Sequence, residues 1–139
     1  MRNLLKEKGY KATPARLAIL DIFAKNEVPL DAEAVYKKLS KLKNCKSINE
    51  ATVYRTLSAF AEEGILARVD LRKDSIHFEM PFGHHHHIVC TNCNAVEDFD
   101  NSEIETIIGR IVASSSEFKN ITEHSLELFG LCTKCLPVR

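Results

Sequence analysis

The chain has 139 residues, 45% of them hydrophobic, with 19 basic and 19 acidic side chains and a formal net charge of zero. That length holds one ordinary domain or two small ones, and the neutral balance excludes a uniformly basic nucleic-acid binder. No run of 18 apolar residues occurs, and the opening MRNLLKEKGYK lacks an apolar h-region and a cleavage site, so neither a membrane span nor a signal peptide is expected and the protein reads as cytoplasmic.

Charge is unevenly placed. Residues 1–80 carry 15 Lys/Arg and 11 Asp/Glu, a balance of +4, whereas residues 81–139 carry 4 and 8, a balance of −4. A basic half beside an acidic half suggests separate duties. In chain order, Leu4, Leu5 and Lys8 indicate a short first helix that ends near Gly9. Thr13-Pro14 is a helix start, a capping side chain followed by proline at the first position. Leu17, Leu20 and Ala24, widened by Ile19 and Phe23, form the apolar stripe of that second helix. Pro29 interrupts, and Asp31 is the N-cap of a third helix with Val35, Leu39 and Leu42 on one face. Asn49 caps a fourth, which runs to Gly64. Beyond Gly64 the period falls to two: Ala67, Val69 and Leu71, then Ile76, Phe78 and Met80, alternate with polar residues about a turn at Lys73-Asp74-Ser75. Helices followed by a two-stranded ribbon outline a winged helix-turn-helix domain over residues 1–80.

Pro81-Phe82-Gly83 reads as a hinge. Residues 84–139 then show a strand from His84 to Val89 and a second from Ala95 to Phe99. Next comes a helix capped by Asn101, with Ile104, Ile107, Ile108 and Ile111 on one face, ending at Ser114-Ser115-Ser116. A final strand spans Ile121 to Phe129, with His124 in phase with Leu126 and Leu128 and so pointing inward. The fold class expected is α+β, a winged helix-turn-helix followed by a small α/β domain.

The fourth helix is the candidate for reading DNA. Val53, Leu57 and Phe60 fall at i, i+4 and i+7 and face the core, while Ala51, Tyr54, Arg55 and Ser58 take nearly the opposite face. Arginine bonds guanine bidentately, an aromatic edge packs on a thymine methyl, and small residues permit close approach in the major groove. Lys11 and Arg16 flank the start of the second helix, a natural place for phosphate contacts. Taken alone, that face is also what the wet side of any amphipathic helix looks like; the wing and the basic upstream residues favour DNA.

Metal chemistry is concentrated in HHHHIVCTNC (His84–Cys93) and LCTKC (Leu131–Cys135). Cys90/Cys93 and Cys132/Cys135 are two C-x-x-C pairs separated by 38 residues. Four thiolates make the closed tetrahedral arrangement usual for structural zinc, and paired cysteines in a reducing compartment bind metal more often than they form disulfides. Cys45, in a Lys-rich loop, is expected to be a surface or partly buried thiol. On a strand, successive side chains alternate, so His84 and His86 point one way and His85 and His87 the other. Each pair can chelate one metal, with Glu79, Asp98, Glu105 and His124 as further donors; imidazole with carboxylate suits Fe2+, Mn2+ or Zn2+.

The order of ATVYRTL, a wing, HHHHIVCTNC, EDFD and EHSLELFGLCTKC resembles the ferric uptake regulator family over nearly the whole chain. The resemblance implies a homodimeric, metal-dependent transcription regulator, mostly of the repressor type, that binds a double-stranded DNA operator and dimerises through the C-terminal domain. It implies structural zinc at Cys90, Cys93, Cys132 and Cys135. It implies a regulatory metal at Glu79, His85, His87 and Asp98, and an additional metal at His84, His86, Glu105 and His124. Tyr54 matches the aromatic that contacts bases, with Arg55 beside it. One departure stands out. The family's regulatory site usually includes a histidine just before the third helix, where this chain has Val28 or Pro29; His77 is a candidate substitute. Asp98 matches a position that is often aspartate in peroxide-sensing members, but peroxide sensing there also uses the hinge-site histidines, one of which is absent here, so an iron or general divalent-metal sensor is expected, with peroxide or zinc sensing as alternatives. A hydrolytic zinc enzyme and a zinc-binding adaptor are the readings from other classes; no H-E-x-x-H occurs to support the first.

Overall fold

A computed structural model describes residues 1–81 and 83–136, which divide into two compact units, Met1–Phe82 and Gly83–Arg139. Of the expected hinge, Phe82 lies outside the described residues.

The first unit holds helices α1 (Arg2–Glu7), α2 (Pro14–Ala24), α3 (Ala32–Leu39) and α4 (Glu50–Glu62), with strands β1 (Leu30–Asp31), β2 (Ala67–Val69) and β3 (His77–Glu79). Capping side chains set the helix starts. Thr13 accepts from the Arg16 amide ahead of Pro14, Asp31 from Ala34, and Asn49 from Thr52. α4 ends where Gly64 takes φ +68°, a left-handed value; Gly64 donates to Ala61 and Ile65 to Phe60, closing a Schellman turn that delivers Ile65 to the core. Leu5, Ile19, Leu20, Val35, Leu39, Val53, Leu57, Phe60 and Phe78 are fully buried at its centre.

Four details differ from the expectation. Leu42 lies beyond the end of α3 and is exposed, because that helix stops at Leu39 with Ser40 as its C-cap. Cys45, at the end of a 3-10 turn (Lys43–Cys45), is part of the core rather than a surface thiol. Ile76 is exposed, and the wing strands are only three residues long. The sheet has three strands in the order β1-β3-β2, with Leu30 opposite Phe78 and Asp31 opposite His77. A two-residue strand is too short to leave a readable period.

Asp31 joins these parts. Its carboxylate accepts from the Ala34 amide at 2.9 Å and from the Ser75 hydroxyl at 2.7 Å, tying the start of α3 to the wing. Partial burial opposes its charge, but the bonds from Ala34 and Ser75 and the nearby His77 and Lys37 outweigh it and hold the carboxyl below the usual aspartate range. Its stabilisation is therefore complete above the ordinary value of 3.8 and is lost as pH falls through the lower folded-state value. Asp31→Ala is expected to cost about 1–2 kcal/mol in urea unfolding at neutral pH. The gap to the parent should close in acid; an equal gap at pH 7 and in strong acid would remove the assignment.

The second unit holds β4 (His86–Cys90), β5 (Val96–Phe99), α5 (Ser102–Ser114, capped by Asn101) and β6 (Glu127–Gly130). β4 is central, antiparallel to β5 and parallel to β6. The last strand is much shorter than expected. Its ladder with β4 begins at His87↔Glu127, which leaves His124 before the strand and Leu128 exposed rather than inward.

Candidate metal centres and nucleic-acid interface

The parallel ladder positions two ligand sets with one register. It pairs His87 with Glu127 and Cys90 with Gly130, a constant offset along both strands. Carried past its end, the offset brings the second C-x-x-C beside the first. Carried ahead of its start, it brings His124 beside His84.

At the cysteine end, the Sγ atoms of Cys90, Cys93, Cys132 and Cys135 lie within 4.8 Å of one another. Cys93 and Cys132 are 3.7 Å apart, too far for a disulfide and close to the roughly 3.8 Å spacing of sulfurs around tetrahedral zinc with bonds of about 2.3 Å. Each pair rides a tight turn: Asn94 donates to the Cys90 carbonyl, and Cys135 and Leu136 both donate to that of Cys132. Backbone N–H groups of Cys93, Cys132 and Asn92 lower the Cys90 thiol to about 6, so its thiolate is in place near neutrality. At Cys135, the Asn92 side chain favours the thiolate, but the neighbouring Cys93 and Cys132 sulfurs and burial outweigh it and push the thiol up to about 11. Four sulfurs this close cannot all ionise without a cation among them, which is the condition a bound divalent metal satisfies. Asn92 was not foreseen as a participant; its place inside C-x-x-C was the available signal.

At the other end, the donor atoms of His84, His86, Glu105 and His124 also lie within 4.8 Å of one another. His84 Nε2 is 2.9 Å from Glu105 Oε1 and 3.0 Å from His124 Nε2. His86 and His124 Nε2 approach the same Glu105 oxygen at 3.4 and 3.2 Å. A ring nitrogen offers one proton or one lone pair, so three imidazoles aimed at one carboxylate oxygen are not served by protons alone; one metal ion uses them all. Burial works against the Glu105 charge, but His86, His124 and His84 prevail and hold it below the usual glutamate range.

The remaining histidines form the opposite set. His84 contacts His86 with ring centroids 4.8 Å apart, and His85 contacts His87 at 5.0 Å, so the alternation of the two pairs extends ahead of β4. His87 is buried and its Nε2 lies 3.7 Å from Asp98 Oδ1, its neighbour across the β4–β5 ladder. Imidazole with carboxylate is a donor set for a divalent transition metal. Glu79 ends β3 in the first unit. His77 is buried, with Nδ1 2.9 Å from the Ser75 carbonyl, and so is engaged within the wing. Val28 is an exposed side chain without a donor atom.

On α4, Val53, Leu57 and Phe60 are fully buried. Ala51, Tyr54 and Arg55 are exposed and Ser58 is half-buried, so the four share the outer face. Lys11 is exposed, and half-buried Arg16 donates from a guanidinium nitrogen to the Lys11 carbonyl at 3.0 Å.

A winged-helix unit followed by an α/β unit with a four-sulfur site and imidazole–carboxylate sites defines a class, the winged-helix regulators that answer to metal. The model of the Ferric uptake regulator family matches residues 7–129. The Ferric uptake regulation protein of Neisseria gonorrhoeae is 40% identical over 133 residues, 94% of this chain and 90% of that protein. The crystal structure of the Vibrio cholerae ferric uptake regulator superposes with a TM-score of 0.81 at 37% identity, covering 94% of this chain and 98% of that one. The Francisella tularensis ferric uptake regulator, solved with iron, superposes with a TM-score of 0.79 at 33% identity over 91% and 95%. The chain belongs to the ferric uptake regulator family. It is a metal-responsive transcriptional regulator and not an enzyme, which sets aside the hydrolase reading.

Proposed function

We propose that this chain is a homodimeric, cytoplasmic repressor that binds a double-stranded DNA operator when loaded with Fe2+, with Mn2+ or Zn2+ as further effectors. The observation that carries the metal reading is the pair of histidine sets on alternate faces of one segment, each with a carboxylate beside it. Iron is favoured by the Francisella relative solved with it. Among the described residues no helix is long and apolar enough to cross a membrane.

The roles divide as follows. Cys90, Cys93, Cys132 and Cys135 hold a structural zinc. His85, His87 and Asp98 hold the regulatory metal together with Glu79, which the chain carries only six residues before His85. His84, His86, Glu105 and His124 hold an additional metal. The bound regulatory cation supplies positive charge that neutralises and gathers these donors. Residues 1–80 read DNA through Ala51, Tyr54, Arg55 and Ser58, with Lys11 and Arg16 on phosphates. Residues 84–139 dimerise, with residues 81–83 as the hinge between the two functions. Ile107 and Ile111 on α5 and Ile88 and Leu128 on the sheet are exposed, an apolar surface that a second copy suits. Sedimentation of the zinc-loaded protein at twice the chain mass is expected, and a monomer at micromolar concentration would exclude the dimer.

The function is tested by selecting duplexes from a random-sequence pool with Mn2+-loaded protein. Enrichment of a two-fold symmetric site is expected, with half-sites about one helical turn apart. Alanine at Tyr54 and Arg55 together should weaken binding to it by about 100-fold, since each good base contact contributes about 1–3 kcal/mol. Zinc content should stay unchanged. No enrichment, or undiminished binding by the double variant, counts against the reading.

A further inference from the structure

Arg16 and Arg55 come from different helices yet line one cleft of about 240 Å³ between α2 and α4, with Thr52, Thr56 and Tyr10. Among the described residues no carboxylate lines it. Among the described residues neither guanidinium takes part in an ion pair. Two unpaired guanidiniums are ordinary on a surface; what distinguishes these is how they are held. The Arg16 guanidinium lies over the Tyr10 ring, 5.1 Å from its centroid, and donates to the Lys11 carbonyl. Tyr10 in turn meets the ring of Phe60 edge-on, with centroids 5.5 Å apart and planes at 80°. Phe60 is fully buried. Arg55 is braced on its own helix by the Thr52 hydroxyl at 3.2 Å. A long, flexible cation is thus fixed through an aromatic ring to the centre of the core, which removes in advance part of the side-chain entropy that binding would otherwise cost. Planar donors with hydroxyls and no acidic neighbour match a phosphodiester.

We propose that this cleft seats a phosphate of the DNA backbone, and that Tyr10 is a positioning residue, acting on DNA only through Arg16. The inference rests on α4 being the DNA-reading helix. Seated beside Arg55, a phosphate gripped by Arg16 fixes the depth and register at which the Tyr54 face enters the groove. Phosphate contacts position a protein without reading sequence, so the effect belongs equally to operator and non-operator duplex.

The test is a double-mutant cycle on the full zinc-loaded protein with Mn2+, by fluorescence anisotropy with a random-sequence duplex of about 30 base pairs at low salt. Arg16→Ala should weaken binding about ten-fold and reduce the slope of log affinity against log salt by about 1 for each cleft occupied. Tyr10→Leu keeps apolar bulk against Phe60 but loses the ring face; it should weaken binding about two- to five-fold, the range of a cation–π contact. Tyr10→Phe should restore binding. In the Arg16→Ala background Tyr10→Leu should add nothing. Equal losses in both backgrounds, failure of Tyr10→Phe to rescue, or full binding by Tyr10→Leu would each overturn the role of Tyr10. If Tyr10→Leu does not accumulate folded, Tyr10→Met carries the same reading. If instead Arg55→Ala leaves affinity for the selected operator duplex unchanged, it is the α4 reading that fails.

Discussion

Replacing Cys93 and Cys132 with serine is expected to release the zinc and unfold residues 83–136 while residues 1–81 keep their structure. The reason lies in where the apolar core is. The first unit buries a continuous cluster from Leu5 to Met80, whereas beyond residue 83 the buried apolar side chains are Val89 and Cys90 among the described residues. A unit of that size with so little core does not hold itself together by burial. Tetrathiolate zinc contributes on the order of 10 kcal/mol, more than the net stability of most small domains. Hydrogen exchange by peptide checks this. Protection should vanish from β4 to β6 and persist in α2 to α4, with zinc content falling to the level of the buffer. Unchanged protection across β4 and β6 would show that the cysteines are dispensable.

Alanine at His85 and His87 is expected to leave zinc content, folding and dimerisation intact and to abolish the response of DNA binding to metal. In the parent protein added Mn2+ should tighten binding to the selected duplex by about 10- to 100-fold, the size of a typical coupling between two sites. In the double variant metal-loaded and chelated protein should bind alike. Alanine at His84 and His86 is the control, since those rings converge on Glu105 and His124 instead. A full metal response in the His85/His87 variant would move the sensing role to the other set. The absence of a donor side chain at Val28 and Pro29 makes this comparison decisive, because these two rings then carry more of the proposed regulatory site.

The first unit is legible from local signals. Thr13-Pro14, Asp31, Asn49 and Gly64 mark their helix ends by chemistry confined to a few neighbouring residues. The same holds for the inner face of α4, where spacing alone selects Val53, Leu57 and Phe60. Expectations fail where the outcome depends on distant partners. Cys45 sits among lysines in sequence but is drawn into the core by a 3-10 turn. His124 and Leu128 look like one alternating strand, yet the ladder starts only at Glu127, opposite His87.

The metal donors divide in the same way. By itself the sequence determined which candidate donors fall into pairs: C-x-x-C turns bring two sulfurs together, and a backbone with a period of two separates His84/His86 from His85/His87, both properties of adjacent residues. Only the tertiary structure decided which pair meets which. The parallel β4–β6 register brings His124 to His84 at one end and Cys132 to Cys90 at the other, and α5 supplies Glu105 between them. Register is set by how two strands about forty residues apart pack on each other, and no local pattern encodes that distance.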